Sequence, residues 1–329
     1  MSDTALVVTA MRPGDGALLA AATLDGIACA VLWQRHLGAL KTVLFAPEGL
    51  TGQLFQAPAL LANRNLQRLY CAALPVRDAE VESVDAVLER SSLREIVWLD
   101  HHHVHRAFLE RLHRRHVTII HDAKQISSVS LLAAQLKTHD EIDAALCRLV
   151  DGDGAQLPEP WSPWFYVFLA VRGDPYQIRR AVQPLVEGRI NAFDPALRDA
   201  GREWWVSLDE LAAQTYHTVS LGDDRLAVVG LPLSQELDFS LLADRIMHRH
   251  DVQFTLLFFD DLHRMILRGD PQRLSATTFR RLQRRLEERG LSIFLYDRHT
   301  FFIEPHESDK RTAIEDVLSL LTTSFSPAP

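Results

Sequence analysis

The residues with the clearest chemical potential are an acid and three imidazoles that follow an apolar run. The run Ile96-Val97-Trp98-Leu99 is typical of a buried strand, and Asp100-His101-His102-His103 comes directly after it. Carboxylate and neutral imidazole are common ligands of Mn²⁺, Zn²⁺ and Fe²⁺. The end of a strand would hold such ligands on a rigid support. The alternative is that the histidines form a solvated loop without a ligand.

A second acidic residue, Asp25, lies between an apolar run and a helical pattern, in the segment Leu24-Asp25-Gly26. Its carboxylate could bind a metal at the same edge of a sheet as His101. Alternatively, Asp25 caps the helix that follows it, and Gly26 only shapes the turn.

Two further segments begin predicted helices. Ser127-Ser128 offers hydroxyl and free N–H groups at a helix N-terminus, which can hold a phosphate, although serines there are also common N-caps. Asp174 follows Arg172-Gly173 and precedes Pro175. It is either another metal ligand or the N-cap of a helix whose first residue is proline.

The predicted strands and helices indicate where in the fold these four segments lie. Strands are predicted at 17–22, 42–46, 68–73, 95–99 and 117–120, and helices at 27–40, 81–89, 105–116 and 127–136. Apolar strands that alternate with helices predict an α/β fold with a mostly parallel sheet and helices on both faces. Active sites in such sheets lie at the carboxyl ends of the strands, so Asp25 and Asp100–His103 are expected at one edge.

The second half of the chain predicts a smaller α/β domain. Residues 140–190 are mainly helical, and the patterning is weaker around 190–223. Strands are predicted at 225–230, 252–259, 264–267, 292–296 and 300–304, and a basic helix at 275–289. We therefore predict a domain at 1–190, a linker region at 191–222, and a C-terminal substrate- or partner-binding domain at 223–329.

Composition limits the function classes. The 329 residues carry 35 basic and 43 acidic side chains, a net charge of −8, which argues against a protein that coats duplex DNA. Cys29, Cys71 and Cys147 have apolar neighbours and no metal-ligand spacing, so buried free thiols in a reducing compartment are expected. The first residues do not resemble a signal peptide, and no apolar run is long enough to span a bilayer. These features predict a cytoplasmic protein.

In their order along the chain, the four chemical segments resemble the DHH phosphoesterase superfamily. Asp100-His101-His102 after a strand matches the motif that gives the family its name. Leu24-Asp25-Gly26 is similar to the end of the first motif, His-x-Asp-x-Asp-Gly. Ser127-Ser128 matches the helix start that follows the signature, and Arg172-Gly173-Asp174 matches a later aspartate motif. The resemblance covers roughly residues 15–185.

The resemblance implies a metal-dependent hydrolase. The superfamily includes single-strand-specific exonucleases, phosphodiesterases of short oligonucleotides and cyclic dinucleotides, and pyro- and polyphosphatases, which use two divalent cations, usually Mn²⁺. It implies metal binding by Asp25, Asp100, His101 and Asp174. Catalytic roles would fall to His101 and His102.

The same interpretation assigns phosphate binding. Ser127 and Ser128 would hold the substrate phosphate at the helix N-terminus. In the C-terminal domain, Arg268 could lie on a strand that faces the cleft, where a guanidinium would bind phosphate. The Gly-Gly-Gly-His segment that many members carry in this domain has no counterpart here.

Three metal ligands of the family are missing. The histidine and first aspartate of the first motif fall at Ala21 and Thr23, and the aspartate of the second motif falls at Ala73. Two cations bridged by a shared acid stabilise the attacking hydroxide and the leaving oxygen. Alanine has no lone pair, so this sequence predicts an incomplete site.

Three interpretations therefore stay open. The chain could be a phosphoesterase with one cation held by Asp25, His101 and Asp174, with His102 or His103 assisting. It could be a catalytically inactive member that binds a nucleotide or a protein partner as a sensor or scaffold, or an unrelated two-domain α/β protein. The expected cofactor is one divalent cation, Mn²⁺ first, or none. The expected partners are a phosphate-containing small molecule or short oligonucleotide, without a membrane, and a homodimer is one option.

Overall fold

The computed structural model describes residues 16–325 with short gaps. The gaps are at 39, 41, 47–50, 77–79, 91, 103, 105, 116, 123–124, 153, 215, 232–237, 260–264, 271–272, 289, 298 and 305–309. The chain divides into two compact units, Met1–Trp205 and Val206–Pro329. His103, which the sequence offers as an assisting imidazole, lies outside the described residues.

The first unit contains a five-stranded parallel sheet. Its strands are β1 (Gly16–Ala21), β2 (Thr42–Ala46), β3 (Arg68–Ala72), β4 (Glu95–Asp100) and β5 (Thr118–His121), in the order β2-β1-β3-β4-β5. Every residue of β1 is buried, as expected of a strand covered on both faces. The predicted α/β fold with a parallel sheet is confirmed.

Helices alternate with these strands and continue beyond them. They are α1 (Leu24–Leu37), α2 (Thr51–Phe55), α3 (Pro58–Leu61), α4 (Val81–Leu88), α5 (Arg106–Arg114), α6 (Ser128–Leu136), α7 (Glu141–Asp151), α8 (Ser162–Val171), α9 (Pro175–Val186) and α10 (Pro195–Ala212), with a 3₁₀ turn at Gly154–Gln156. None of the helices within the described ranges is both long and apolar enough for a bilayer.

Helix α1 begins three residues earlier than the sequence predicts. Thr23 is its N-cap, and the Thr23 hydroxyl accepts a hydrogen bond from the Gly26 N–H at 3.2 Å. A Cβ atom at Gly26 would lie 2.1 Å from the Ala21 carbonyl oxygen. Glycine therefore lets the first turn of α1 pack directly on the end of β1, which fixes Asp25 at the carboxyl edge of the sheet.

The second unit contains a six-stranded mixed sheet. Its strands are β6 (His217–Leu221), β7 (Asp224–Leu231), β8 (Phe254–Phe259), β9 (Met265–Gly269), β10 (Ser292–Asp297) and β11 (Thr300–Glu304), in the order β10-β11-β9-β8-β7-β6. Only β7 and β8 pair in parallel among these strands. The helices are α11 (Phe239–His250), α12 (Ala276–Glu288) and α13 (Lys310–Phe325). The predicted smaller α/β domain is confirmed.

The segment predicted as a linker, 191–222, contains regular structure. It holds the 18-residue helix α10 and the strand β6. The three cysteines are free thiols; Cys29 and Cys71 are buried, whereas Cys147 is only partly buried.

Candidate functional site

The carboxyl end of β4 carries the signature residues. Strand β4 is apolar and buried up to Asp100, which is itself fully buried. His102 is also buried, and His101 is partly exposed. Because a buried charge needs compensation, the partners of Asp100 decide what this site can do.

Asp100 is only half satisfied. Its Oδ1 accepts the His102 backbone N–H at 3.0 Å and lies 2.5 Å from His102 Nδ1. Its Oδ2 is buried and has no hydrogen-bond partner among the residues that the structure describes. Burial works to raise the pKa of Asp100, but the neighbouring His102 charge and hydrogen bonds lower it. The lowered pKa favours the ionised carboxylate, and its buried Oδ2 is the atom whose missing partner a cation would supply.

Asp25 is held at the N-terminus of α6, far along the chain. Its two oxygens accept the N–H groups of Ser128 and Val129 at 2.9 and 2.8 Å. Asp25 Oδ2 also lies 3.4 Å from His101 Nδ1. Burial works to raise the pKa of Asp25, but His101 and the two N–H groups outweigh it and lower the pKa to about 2. Asp25 therefore caps α6, and the alternative that it caps α1 is wrong because Thr23 does so.

The two serines of α6 face this same network. Ser127 is the N-cap, and its hydroxyl accepts the Ser130 N–H at 3.2 Å. Ser128 Oγ lies 2.8 Å from His101 Nδ1 and accepts the His101 backbone N–H at 3.3 Å. Since Asp25 already accepts two N–H groups here, a phosphate at this helix end would compete with an internal carboxylate. Phosphate binding by Ser127 and Ser128 stays a prediction.

Asp151 is a site residue that the sequence reasoning missed. It ends α7, and Asp151 Oδ2 accepts a hydrogen bond from the Ser130 hydroxyl. Its Oδ1 is buried without a partner in the described part of the chain. Burial raises the pKa of Asp151, hydrogen bonds from Ser127 and Ser130 oppose this, and the nearby Asp25 charge raises it further. The available signal was an Asp-Gly pair directly after a helical pattern.

Asp174 is placed differently. It is the N-cap of α9 and accepts hydrogen bonds from the N–H groups of Tyr176 and Gln177 at 3.0 and 3.1 Å. The preceding Gly173 donates its N–H to the Ala22 carbonyl at 3.0 Å, which joins this turn to the end of β1. Every hydrogen bond that we find for the Asp174 carboxylate lies within the first turn of α9. Metal binding by Asp174 stays a prediction.

At the carboxyl ends of β1 and β3 the residues are alanines, whereas the corresponding end of β4 carries side chains that can bind a metal. Ala21 and Ala22 are 4% exposed, and Ala73 is fully buried beside Leu99 of β4, whose carbonyl accepts its N–H at 3.0 Å. Ala73 has a left-handed φ of 52°. Aspartate and asparagine tolerate that conformation better than other residues with a side chain. The backbone at Ala73 therefore suits an acidic residue that the sequence does not supply.

The residues present fit one divalent cation. Asp100, His101 and His102 each offer a ligand atom within 4.8 Å of the others, and they are the only such group of three found in the described ranges. Oxygen and imidazole nitrogen together suit Mn²⁺, Fe²⁺ or Zn²⁺. The unsatisfied Asp100 Oδ2 is the donor that most needs a partner. At the ends of β1 and β3, a second cation would find alanine instead of a ligand.

Arg268, predicted to bind phosphate, lies in the second unit on β9. Its Nε and Nη2 bind the Asp244 carboxylate at 2.7 and 2.9 Å. Its Nη1 contacts Asp297 at 3.1 Å and the Thr300 hydroxyl at 2.5 Å. Four of the five guanidinium N–H groups thus have internal acceptors. The phosphate role of Arg268 stays a prediction.

Comparison with known proteins places the fold. No family model matches the chain, and no curated protein matches it. The solved structures include a pGpG-specific phosphodiesterase, PggH, from Vibrio cholerae, with 12% identity over 93% of this chain and 99% of that chain and a TM-score of 0.52. RecJ in complex with Mn²⁺ from Thermus thermophilus has 12% identity over 95% of this chain and 52% of that chain, with a TM-score of 0.49. CDC45 from Entamoeba histolytica has 10% identity over 93% of this chain and 95% of that chain, with a TM-score of 0.45.

Proposed function

Starting from the DHH-type phosphoesterase-like fold of the chain, we propose that it binds a phosphodiester or phosphoanhydride at a site for one divalent cation. A nucleotide or a short oligonucleotide is the expected class of ligand. The observation that carries this proposal is the contrast at the sheet edge: β4 ends in Asp100 and is followed by two histidines, whereas β1 ends in Ala21 and β3 is followed by Ala73. The two-cation hydrolysis that the family resemblance implies would use ligands that these alanines do not supply.

The cation would be held by Asp100 Oδ2 with an imidazole from His101 or His102. Bound there, it would supply positive charge for a non-bridging phosphate oxygen. Asp25 has both oxygens engaged with α6, so its part would be to orient His101 from 3.4 Å. Such an outer carboxylate fixes the ring of a ligating histidine. We include Asp151 among the site residues because one oxygen of its carboxylate is buried and has no hydrogen-bond partner among the described residues.

The phosphate would lie beside the α6 N-terminus. Because Asp25 accepts the helix N–H groups, the Ser127 and Ser128 hydroxyls are the neutral groups that would face the phosphate. Each would have to exchange its hydrogen bond with Asp151 or His101 for one with the phosphate. Metal binding by Asp174 and phosphate binding by Arg268 stay separate predictions, because each side chain would first have to give up its internal hydrogen bonds.

A second candidate is hydrolysis with a single cation. The observation that favours it is the 2.5 Å contact between Asp100 Oδ1 and His102 Nδ1. A carboxylate at one nitrogen orients an imidazole so that the other can act as general acid or base. In this version water would add to phosphorus and lose a proton to solvent, and the bond to the leaving oxygen would break as His102 donates a proton to that oxygen. His101 would help to hold the cation.

Binding and product analysis in one experiment separates the two candidates. The protein is incubated with Mn²⁺ and the dinucleotide pGpG, and bound and free nucleotide are analysed by chromatography. We expect retained, unhydrolysed pGpG that is released by EDTA, and loss of retention in the Asp100→Ala variant. Conversion to GMP that disappears in His102→Ala would establish the hydrolase instead, and no metal-dependent retention at all would contradict both.

We also propose Mn²⁺ as the cation and a cytoplasmic setting. The three free cysteines agree with a reducing compartment. The net charge of −8 argues against bulk duplex DNA as a partner. A homodimer is a further proposal, which sedimentation of the full chain would test.

A further inference from the structure

A cavity of about 400 Å³ lies along the outer edge of β2 in the first unit. Its volume is in the range of small-molecule sites. One wall comes from β2, including Phe45, a second from Leu54 and Ala57, and a third from Tyr176 and Arg179 of α9. The residues proposed to bind the cation and phosphate do not line it.

The cavity lies along the edge strand of the sheet, where Phe45 is buried. Strand β2 is terminal in the sheet as far as the structure describes it. Ala46 turns its carbonyl toward β1, where it accepts the Ala22 N–H at 2.6 Å. Because backbone groups of successive residues in a strand point to opposite sides, Phe45 directs its N–H and its C=O away from β1. A ligand in the cavity would therefore find one donor and one acceptor side by side.

The walls favour a flat, uncharged ring. Leu54 is buried and Ala57 is partly buried. Tyr176 is 91% exposed, the most exposed large hydrophobic residue in the described part of the chain. A phenol ring left this exposed beside an apolar cavity can stack on a planar ligand.

The positive charge of Arg179 in the lining favours a ligand whose ring carries an anionic substituent. Arg179 follows Tyr176 by three residues on α9, so both lie on one face of the helix. Among the lining residues that the structure describes, none is acidic. A guanidinium at the mouth would bind a phosphate or a carboxylate.

We propose that this cavity is a nucleobase subsite that binds a purine mononucleotide, with the base against the edge of Phe45 and the phosphate near Arg179. The inference goes beyond the proposed function, because its phosphate lies near Arg179 and not at the cation site. The cavity and the proposed site share the carboxyl edge of the sheet: Ala46 is the register partner of Ala21, the last residue of β1. A purine offers a flat double ring with neighbouring donor and acceptor atoms.

Calorimetric titration with GMP in the presence of EDTA tests the proposal without any cation. We expect GMP to bind, guanosine to bind more weakly, and inorganic phosphate not to bind at this site. Arg179→Ala should weaken GMP about five- to tenfold and guanosine less than about twofold, because it removes one charge-assisted contact. Arg180→Ala is the matched control, since it removes a neighbouring exposed arginine that does not line the cavity.

Two further variants test the cavity itself. Ala57→Trp should fill it and abolish binding of both GMP and guanosine. Tyr176→Ala changes an exposed residue and should leave folding intact. It should weaken the binding of GMP and of guanosine by a similar factor, whereas Tyr176→Phe should bind both as the wild type does.

Several results would overturn the inference. They are the absence of GMP binding to the wild-type protein, equal binding by Ala57→Trp and wild type, and an equal response to Arg179→Ala and Arg180→Ala. Binding of an extended apolar peptide in place of GMP would make the edge of β2 a strand-addition site and would also overturn it. The GMP titration contains no metal, so a negative result there would not bear on cation binding at Asp100. Likewise, a failure to bind Mn²⁺ would not change the interpretation of the GMP titration.

Discussion

Two clusters of buried charge, one in each unit, differ in how completely they are satisfied. In the second unit, Arg268 has Asp244, Asp297 and Thr300 as acceptors for four N–H groups. In the first unit, the carboxylate of Asp100 leaves one buried oxygen without a partner in the described structure. A sequence motif cannot distinguish these cases, because both appear as charged residues at strand ends.

The difference suggests which cluster serves a ligand. Burying an unsatisfied charged oxygen costs stability, and such costs are commonly found at binding and catalytic sites. Among the described residues, the guanidinium of Arg268 and its contacts include no such unsatisfied atom, as is typical of a structural ion-pair network. We therefore expect the two clusters to respond to substitution in opposite ways.

The largest effect is expected on cation affinity. Asp100→Ala removes the unsatisfied oxygen and should weaken Mn²⁺ binding at least about 100-fold, as loss of a first ligand exceeds the 10- to 100-fold cost of losing an outer partner. Calorimetric titration with Mn²⁺ measures it. Arg268→Met in the same titration is the control, and a comparable loss there would erase the contrast between the clusters.

The next effect is expected on stability in the second unit. Arg268→Met leaves the Asp244 and Asp297 carboxylates without their cation, and breaking a buried pair costs about 3–5 kcal/mol. Because the Asp244 side chain is 40% exposed, we expect a smaller loss, about 2–3 kcal/mol in the free energy of unfolding. Urea denaturation of the full chain measures it. An unchanged midpoint, together with lost phosphate binding, would instead support the phosphate role of Arg268.

A third effect is expected at acidic pH. The pKa of Asp25 is lowered in the fold to about 2 from 3.8, so its ionised form stabilises the folded state above pH 4. That contribution, about 2 kcal/mol, should be lost as pH falls from about 4 to about 2. Urea denaturation across this range should show a shallower loss for Asp25→Asn than for the wild type, and parallel curves would count against the hydrogen bonds that we assign to Asp25.

The smallest effect is expected at Asp174. Asparagine is about as good an N-cap as aspartate, so Asp174→Asn should change the free energy of unfolding by less than about 0.5 kcal/mol. We expect Mn²⁺ affinity to stay within about twofold, because all hydrogen bonds found for Asp174 belong to α9. A tenfold loss of Mn²⁺ affinity in the same titration would instead support metal binding by Asp174.

The fold was largely predictable because its strands are continuous apolar runs between turn residues. Strand β2 agrees at both ends with the prediction, and β4 ends one residue later, at Asp100. The prediction missed α10, whose Arg, Asp and Glu residues hide its apolar positions, and the edge strand β6, which is mostly exposed. Edge strands and amphipathic helices carry weaker periodic signals than buried strands.

The candidate site was only partly predictable. Asp100, His101 and His102 are neighbours in sequence, so their shared position follows from one strand end. Asp151 could not be assigned, because its contact with Ser130 depends on how α7 packs against α6. The partner of Asp25 was likewise hidden, since α6 begins more than a hundred residues later.

The most direct measurement of the proposed site is the number of Mn²⁺ ions that the purified full chain binds, determined by mass spectrometry of the metal after dialysis. We expect one equivalent in the wild type and none in Asp100→Ala. Two equivalents in the wild type, or one that persists in Asp100→Ala, would contradict the proposed site.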